Sequence, residues 1–359
     1  MDCRVAVLQE FGAPLVLEER ALPEVGPGEA RVRVTAAGVC GSDVHMWEGR
    51  DPRIRLPLVL GHEGVGVIEQ IGDDAQDLRG RPVRVGDPVI WERSLTCGRC
   101  HYCAVRKQPY LCPSRQVYGI LRDGSYATHL LLAAGTRLLR LEPTDDPAVV
   151  APAACAGATV AHAAEAATIR SGDAVLVLGP GPLGIFACAF ARDRGAKTII
   201  AFGTERSRKR LELCREFGAD HVMTVDGNTA EERAAKVHEL TAAGADVVLD
   251  CAGSASAIRE GLALTAPGGV YCAPGIATPL GETPVRFYEE VGRKNLRIQG
   301  VWVSDASHMV QAVELVQSRR YPFEKLISHR GGLNRATELL EAVRDRQATK
   351  AVICPGLEE

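Results

Sequence analysis

Cys97, Cys100, Cys103 and Cys112 fall within sixteen residues, CGRCHYCAVRKQPYLC. Two-residue spacers let neighbouring thiolates converge on one tetrahedral ion, so the expected product is a closed four-sulfur zinc site. The same thiolates suit an iron–sulfur cluster, an alternative that visible absorption would separate from colourless zinc. A closed site has no open coordination position, so it can organise a lobe but leaves the chemistry to other residues. Three such residues stand in small-residue settings: Cys40 in GVCGSDVH, His62 in GHEG and Cys155 in PAACAGATV. Two thiolates and an imidazole leave a fourth zinc position for water or substrate, which a catalytic site needs.

A second kind of chemistry is written in DAVLVLGPGPLGIFACAFARDRG. Gly179, Gly181 and Gly184 follow an apolar strand directly and stand at the mouth of a helix, the context in which this spacing binds a dinucleotide. Glycine allows the tight turn and the approach of a pyrophosphate to backbone amides, and Pro182 suits a first helical turn. The next strand, KTIIAF, should end in an acid that binds the adenosine ribose; Gly203 occupies that point and Glu205 follows two residues later. Glu205 disfavours a 2′-phosphate, whereas Arg206, Arg208 and Lys209 would welcome one. The expectation is NAD(H) over NADP(H).

These residues need two different scaffolds. The chain has 359 residues, 46% of them hydrophobic, which exceeds the size at which one core usually stops growing and implies two domains. Up to about residue 150, short β segments such as ARVRVTAAGVC and RVGDPVIW are separated by Gly and Pro, as in a β-rich barrel or sandwich. From about 156, apolar strands alternate with Ala-rich helices, the signature of a parallel sheet wound by helices. A net charge of −3 gives no electrostatic case for nucleic acid or a membrane surface. The N-terminal MDCRVAVLQEFG lacks the apolar run of a signal peptide, and twelve cysteines then point to reduced thiols in the cytoplasm.

Taken together, GVCGSDVH at 38 to 45, GHE at 61 to 63, CGRCHYC with Cys112, CAGATV at 155 to 160 and GPGPLG at 179 to 184 resemble the zinc-dependent alcohol dehydrogenases of the medium-chain dehydrogenase/reductase superfamily. The resemblance covers essentially the whole chain. It implies an α/β protein in which a Rossmann domain, residues 156–297, is inserted into a GroES-like β-rich catalytic domain, residues 1–155, with a structural-zinc lobe at 92–115. Residues 298–359 would return to the catalytic domain. By the same resemblance Cys40, His62 and Cys155 hold a catalytic zinc, Glu63 lies behind the metal, Asp43 orients the His62 ring, Thr159 touches the nicotinamide and Lys350 approaches the cofactor cleft. It also implies two zinc ions per chain, a homodimer or homotetramer, and a relay in which Ser42 takes the substrate proton and passes it through the cofactor ribose to His45.

Two departures stand out. Eight residues separate Cys103 from Cys112, where the family more often has seven. Many polyol-type relatives place a carboxylate in the segment where Cys155 sits, so Cys155 leans toward the alcohol-type ligand set. Aligning back from Cys97 places Arg93 where simple alcohol dehydrogenases often carry a bulky apolar residue, and a guanidinium there suits a carboxylate, phosphonate or phosphate. Its neighbour Glu92 could equally neutralise it in a surface ion pair. The expected activity is hydride transfer between an alcohol, or the matching carbonyl, and a nicotinamide cofactor. A polyol or sugar dehydrogenase is the alternative within enzymes, and a catalytically inactive dinucleotide sensor the alternative outside them.

Overall fold

The computed structural model describes residues 2–357. Two compact units share the chain: one holds the residues up to Ala158 together with Ser304–Gln317 and the segment from Phe323 onward, and the other holds Thr159–Val303 with Ser318–Pro322.

In the first unit the strand Ala30–Val39 organises a seven-stranded sheet. Its alternating V-R-V-T-A pattern puts Val32, Val34 and Ala36 in the core, while Arg31, Arg33 and Thr35 face outward. It pairs antiparallel with Gly64–Ile71 on one side and with the C-terminal strand Lys350–Ile353 on the other. Those pairings carry Glu63 and Lys350, 287 positions apart in sequence, to the same end of the sheet. The backbone at Gly38 comes so close to Glu63 that a Cβ there would lie 2.0 Å from Oε2, so only glycine fits. Trp91, Tyr118, Tyr126, Leu60 and Ile68 fill the core beneath, each burial contributing about 1.5–3 kcal/mol.

Two details of this unit set up the metal-ligand groups. The short helix Gly41–Trp47 starts at Cys40 as N-cap, and Asp43 at its third position accepts the Cys40 N–H at 2.7 Å. The four-cysteine loop is held at its neck by a two-stranded ladder that pairs Ser94 with Val117 and Leu95 with Gln116.

The second unit is a six-stranded parallel sheet in the order His221–Thr224, Thr198–Gly203, Ala174–Leu178, Ala245–Asp250, Thr265–Ala273, Arg297–Gly300. Strand Ala174–Leu178 is buried throughout, as a central parallel strand covered on both faces should be. The helix Pro182–Asp193 follows it with Gly181 as N-cap. The fold class expected from the sequence is the one found. No single helix among the described residues is long and apolar enough to cross a membrane.

Candidate active site and metal centres

Two groups of potential metal ligands form, and in each the ligand atoms lie within 4.8 Å of one another: Cys97, Cys100, Cys103 and Cys112, and separately Cys40, His62, Glu63 and Cys155. In the first, Cys97 Sγ and Cys112 Sγ are 3.6 Å apart. That is far beyond a disulfide bond and close to the sulfur–sulfur edge of about 3.8 Å that metal–sulfur bonds of about 2.3 Å impose on a tetrahedron. Hydrogen bonds from the Arg99 and Cys100 amides draw the Cys97 thiol down to about 6, so a thiolate is at hand near neutral pH. The four residues therefore fit one tetrahedral ion. A one-turn helix at Pro109–Leu111 leads directly into Cys112.

The second group is assembled by the elements around strand Ala30–Val39. Cys40 follows that strand, His62 and Glu63 precede strand Gly64–Ile71, and Cys155 ends the turn Ala151–Ala154. Asp43 is fully buried and its Oδ1 lies 3.0 Å from His62 Nδ1. With Nδ1 engaged, Nε2 is the ring atom turned to the cysteines, and it is buried with no hydrogen-bond partner. An orphaned buried nitrogen beside two sulfurs fits a metal ion. Cys40 and Cys155 lie close enough for one proton to serve both thiols. Cys155 donates toward Cys40, which with His62 and Lys350 holds Cys40 well below the usual thiol range, while Cys155 is pushed well above it by the same bond and by burial. A metal would displace that proton.

Behind the group, Lys350 Nζ lies 2.6 Å from Glu63 Oε2, and both side chains are sealed from water. The Lys350 ammonium, which the resemblance brings near the cofactor cleft, is paired with Glu63. Burial pushes Glu63 above the ordinary carboxylate range, with Lys350 pulling the other way. On the open side, Ser42 Oγ is 3.1 Å from Cys40 Sγ. His45 stands one helical turn further along the same face, half-buried. Burial, then the charge of Arg50, keeps His45 below its usual value, so the ring is neutral at pH 7.

Arg93 is also part of this group. It is 8% exposed, and its Nη1 lies 2.8 Å from Cys155 Sγ. Arg93 and Glu92 are both buried, so an ion pair at the surface, the simpler reading of the sequence, is not their arrangement. Glu92 has its carboxyl pushed up to about 7 by burial, and Arg137 Nε lies 3.9 Å from its Oε2. Sequence reading missed Arg115, whose guanidinium is drawn down to about 10 by burial and then by the charges of Arg93 and Arg53. Nothing in the spacing of these three arginines announces that they share a neighbourhood.

In the second unit Gly179 takes φ +94°, and a Cβ on Gly184 would lie 1.9 Å from Gly179 O, so the turn leaves its backbone open to a bound pyrophosphate. Gly203 ends the neighbouring strand, followed by exposed Glu205 and Arg206. Thr159 is buried in helix Ala156–Ala166.

Residues 26–143 match the family model of the alcohol dehydrogenase GroES-like domain, and residues 182–318 match that of the zinc-binding dehydrogenases. The chain is 35% identical to the 5-exo-hydroxycamphor dehydrogenase of Pseudomonas putida over 91% of its own length and 92% of the relative's. It is 30% identical to the L-threonine 3-dehydrogenase of Bacillus subtilis, covering 96% of each chain. Among solved structures, an alcohol dehydrogenase from Thermotoga maritima superposes with a TM-score of 0.95 at 38% identity, covering 99% of both chains. A protein from Sinorhizobium meliloti assigned as a zinc-binding dehydrogenase, crystallised with NADP, superposes at 0.88 with 25% identity over 99% of this chain and 100% of that one.

Proposed function

The chain belongs to the zinc-dependent alcohol dehydrogenase family of the medium-chain dehydrogenase/reductase superfamily, and from that premise we propose how its residues divide the work. It is a zinc-dependent oxidoreductase acting between an alcohol and a nicotinamide cofactor. The observation that carries the assignment of its active centre is the convergence of Cys40, His62 and Cys155, with His62 Nε2 buried and unsatisfied among them. These three hold the catalytic ion, Cys97, Cys100, Cys103 and Cys112 hold a structural one, and Thr159 and the Gly179–Gly184 turn receive the cofactor. Zinc, when bound, makes an alcohol hydroxyl at its open position acidic, and the nicotinamide accepts the hydride.

The chain's own groups handle the proton and the orientation. Asp43 fixes the His62 tautomer, Glu63 and Lys350 brace the back of the group, Ser42 Oγ receives the substrate proton and His45 exchanges it with solvent. Because burial lowers the His45 pKa, catalysis should fall only on the acid side of the ordinary histidine value of about 6.5. Replacing His45 by Gln should cut kcat by about 10²-fold, and added imidazole buffer should restore part of it. A pH profile unchanged in this variant would remove His45 from the path.

Arg93 beside Cys155 supports a substrate whose alcohol carries an anionic group. Cys155 as third ligand supports the alcohol-type over the polyol-type reading, although a sorbitol dehydrogenase of Halalkalibacterium halodurans is 29% identical over 94% of the chain. The test is a screen of alcohols, polyols, hydroxy acids and phosphonates with NAD and NADP, followed by nicotinamide absorbance, on protein with measured zinc content. Arg93→Ala should raise KM for anionic substrates about 10–100-fold and leave neutral alcohols nearly unchanged. Equal losses for both classes, or a loss of zinc, would contradict a substrate role.

For the cofactor, the reading is NAD(H) over NADP(H), supported by the acidic character of the loop that follows Gly203. For assembly, the edge strand Arg297–Gly300 and the exposed Phe287, Tyr288, Ile298 and Trp302 support pairing with a second copy into a dimer or tetramer, readable as solution mass. None of the twelve cysteines is in a disulfide, which supports a reducing compartment such as the cytoplasm.

A further inference from the structure

Doubly wound folds commonly hold the adenosine ribose with an acidic side chain at the end of the second strand. In this chain that strand, Thr198–Gly203, ends on a glycine that cannot be replaced by an acid in place: a Cβ on Gly203 would lie 2.7 Å from Pro180 Cγ and 2.8 Å from Ser207 Oγ. Pro180 belongs to the glycine-rich turn, so a larger residue would push the pyrophosphate cradle itself. The next candidate, Glu205, is paired with Arg208 at the surface. Its two oxygens accept from Arg208 Nε and Nη2 at 2.6 and 2.7 Å.

A carboxylate that follows the adjacent strand reaches the loop after Gly203. His221–Thr224 runs parallel to Thr198–Gly203 with Thr224 opposite Gly203, and the pairing continues as Val225 N–H donates to Gly203 O at 2.7 Å. Asp226 is next, and its Oδ2 accepts the Glu205 N–H at 2.5 Å. The turn that presents it is tied down by Arg233 Nη1, which donates to Val225 O and Asn228 O. A carboxylate is thereby seated on a main-chain amide of the loop that leaves the second strand.

We infer that Asp226 is the residue that discriminates between NAD(H) and NADP(H), which rests on the nicotinamide reading above. The ribose 2′ and 3′ hydroxyls are donors that a carboxylate at this loop accepts. A 2′-phosphate brings up to two negative charges to the same loop, where the Glu205 amide is already taken and the group taking it is an anion. Of the basic residues that follow, Arg208 pairs with Glu205 at the surface, which offsets part of its charge. Sequence alone pointed to Glu205, because strand pairing that brings residue 226 beside residue 205 has no signature in local spacing.

The test uses the zinc-loaded full chain. Dissociation constants for NADH and NADPH, and kcat/KM for both oxidised forms, are compared in the wild type, Asp226→Asn, Asp226→Ala and Glu205→Gln. The wild type should favour the non-phosphorylated cofactor, and adenosine 5′-monophosphate should compete better than adenosine 2′,5′-bisphosphate. Asp226→Asn keeps an acceptor for the Glu205 amide and removes the charge, so the preference should move about tenfold toward NADP(H). Asp226→Ala also frees the amide and should move it further. Glu205→Gln should move it less than either. A wild-type preference for NADP(H), a ratio unchanged by both Asp226 variants, or a larger shift from Glu205→Gln would overturn the assignment. Asp226 is exposed in a turn, and the inhibitor comparison on the wild type needs no variant to fold. Failure of the wild type to bind either dinucleotide would instead overturn the nicotinamide reading.

Discussion

Cys40→Ser should lower zinc content by one ion per chain and reduce alcohol oxidation by about a thousandfold or more, while NADH still binds. The ligand-type residues form two groups that share no member, so loss of one ion should leave the other in place. The turn at Gly179–Gly184 lies in the second unit, remote in sequence from Cys40, which is why cofactor binding should survive. The size of the effect follows from the chemistry: a metal at an alcohol oxygen supplies several kcal/mol of charge stabilisation, and each 1.4 kcal/mol is a factor of about ten in rate. Serine keeps the N-cap geometry of helix Gly41–Trp47, since its hydroxyl can take the place of the sulfur and the Cys40 N–H to Asp43 bond is backbone-borne. Thermal stability should therefore change little beyond the contribution of the bound ion. Metal analysis, fluorescence titration with NADH and steady-state turnover read the three parts separately. Full turnover by a protein holding one ion would move the reaction away from Cys40, His62 and Cys155. The matching change in the other group, Cys103→Ser, should do the reverse: lose one ion and loosen the lobe between Ser94 and Val117, with the residual folded fraction still able to turn over.

Much of this arrangement is legible in the sequence because it is local. The four-cysteine group lies within one loop, and the glycine-rich turn is written within six residues after a strand, so residue type and spacing already contain the geometry. Cys40 and His62 stand beside strands that pair with each other, and the alternation of those strands shows which face is buried. The long-range partners are less visible for a physical reason. Lys350 meets Glu63 only because strand Lys350–Ile353 inserts beside Ala30–Val39, and nothing in the composition of KAVI sets its place in the sheet. Arg115 feels its own burial and the charges of Arg93 and Arg53, a property of the packed chain that no window of residues displays. Glu92 and Arg93 are adjacent in sequence and invite an ion pair, yet the two side chains go to different partners, Arg137 and Cys155. Both residues lie between strands Pro88–Trp91 and Ser94–Leu95, with Arg93 at a bend, so the pattern of the flanking strands does not set where either side chain goes.

Lys350→Met should destabilise the first unit by about 3–5 kcal/mol, because it leaves the Glu63 carboxylate sealed from water without its counter-charge. Both side chains are at the floor of exposure, so solvent cannot screen the loss as it would for a surface pair, where the median worth is about 0–1 kcal/mol. At roughly 2–4 °C per kcal/mol for a unit of this size, the melting transition should fall by about 10 °C. Removing the charge on both sides separates the worth of the pair from the penalty of an orphan. Glu63→Gln with Lys350→Met places an uncharged amide next to an apolar side chain of similar length, and should recover at least half of the loss. Lys350→Arg keeps the charge but must fit a broader planar head into a closed space, so it should fall between the two. Melting curves on metal-free and zinc-loaded protein distinguish a second contribution. Glu63 lies in the same group as Cys40, His62 and Cys155, so an unpaired carboxylate has a route to relief by turning toward a bound ion. The loss in Lys350→Met should then be smaller in the zinc-loaded protein, at the expense of the open coordination position and therefore of turnover. A variant as stable as the wild type and equally active would show that Lys350 neither neutralises nor positions Glu63.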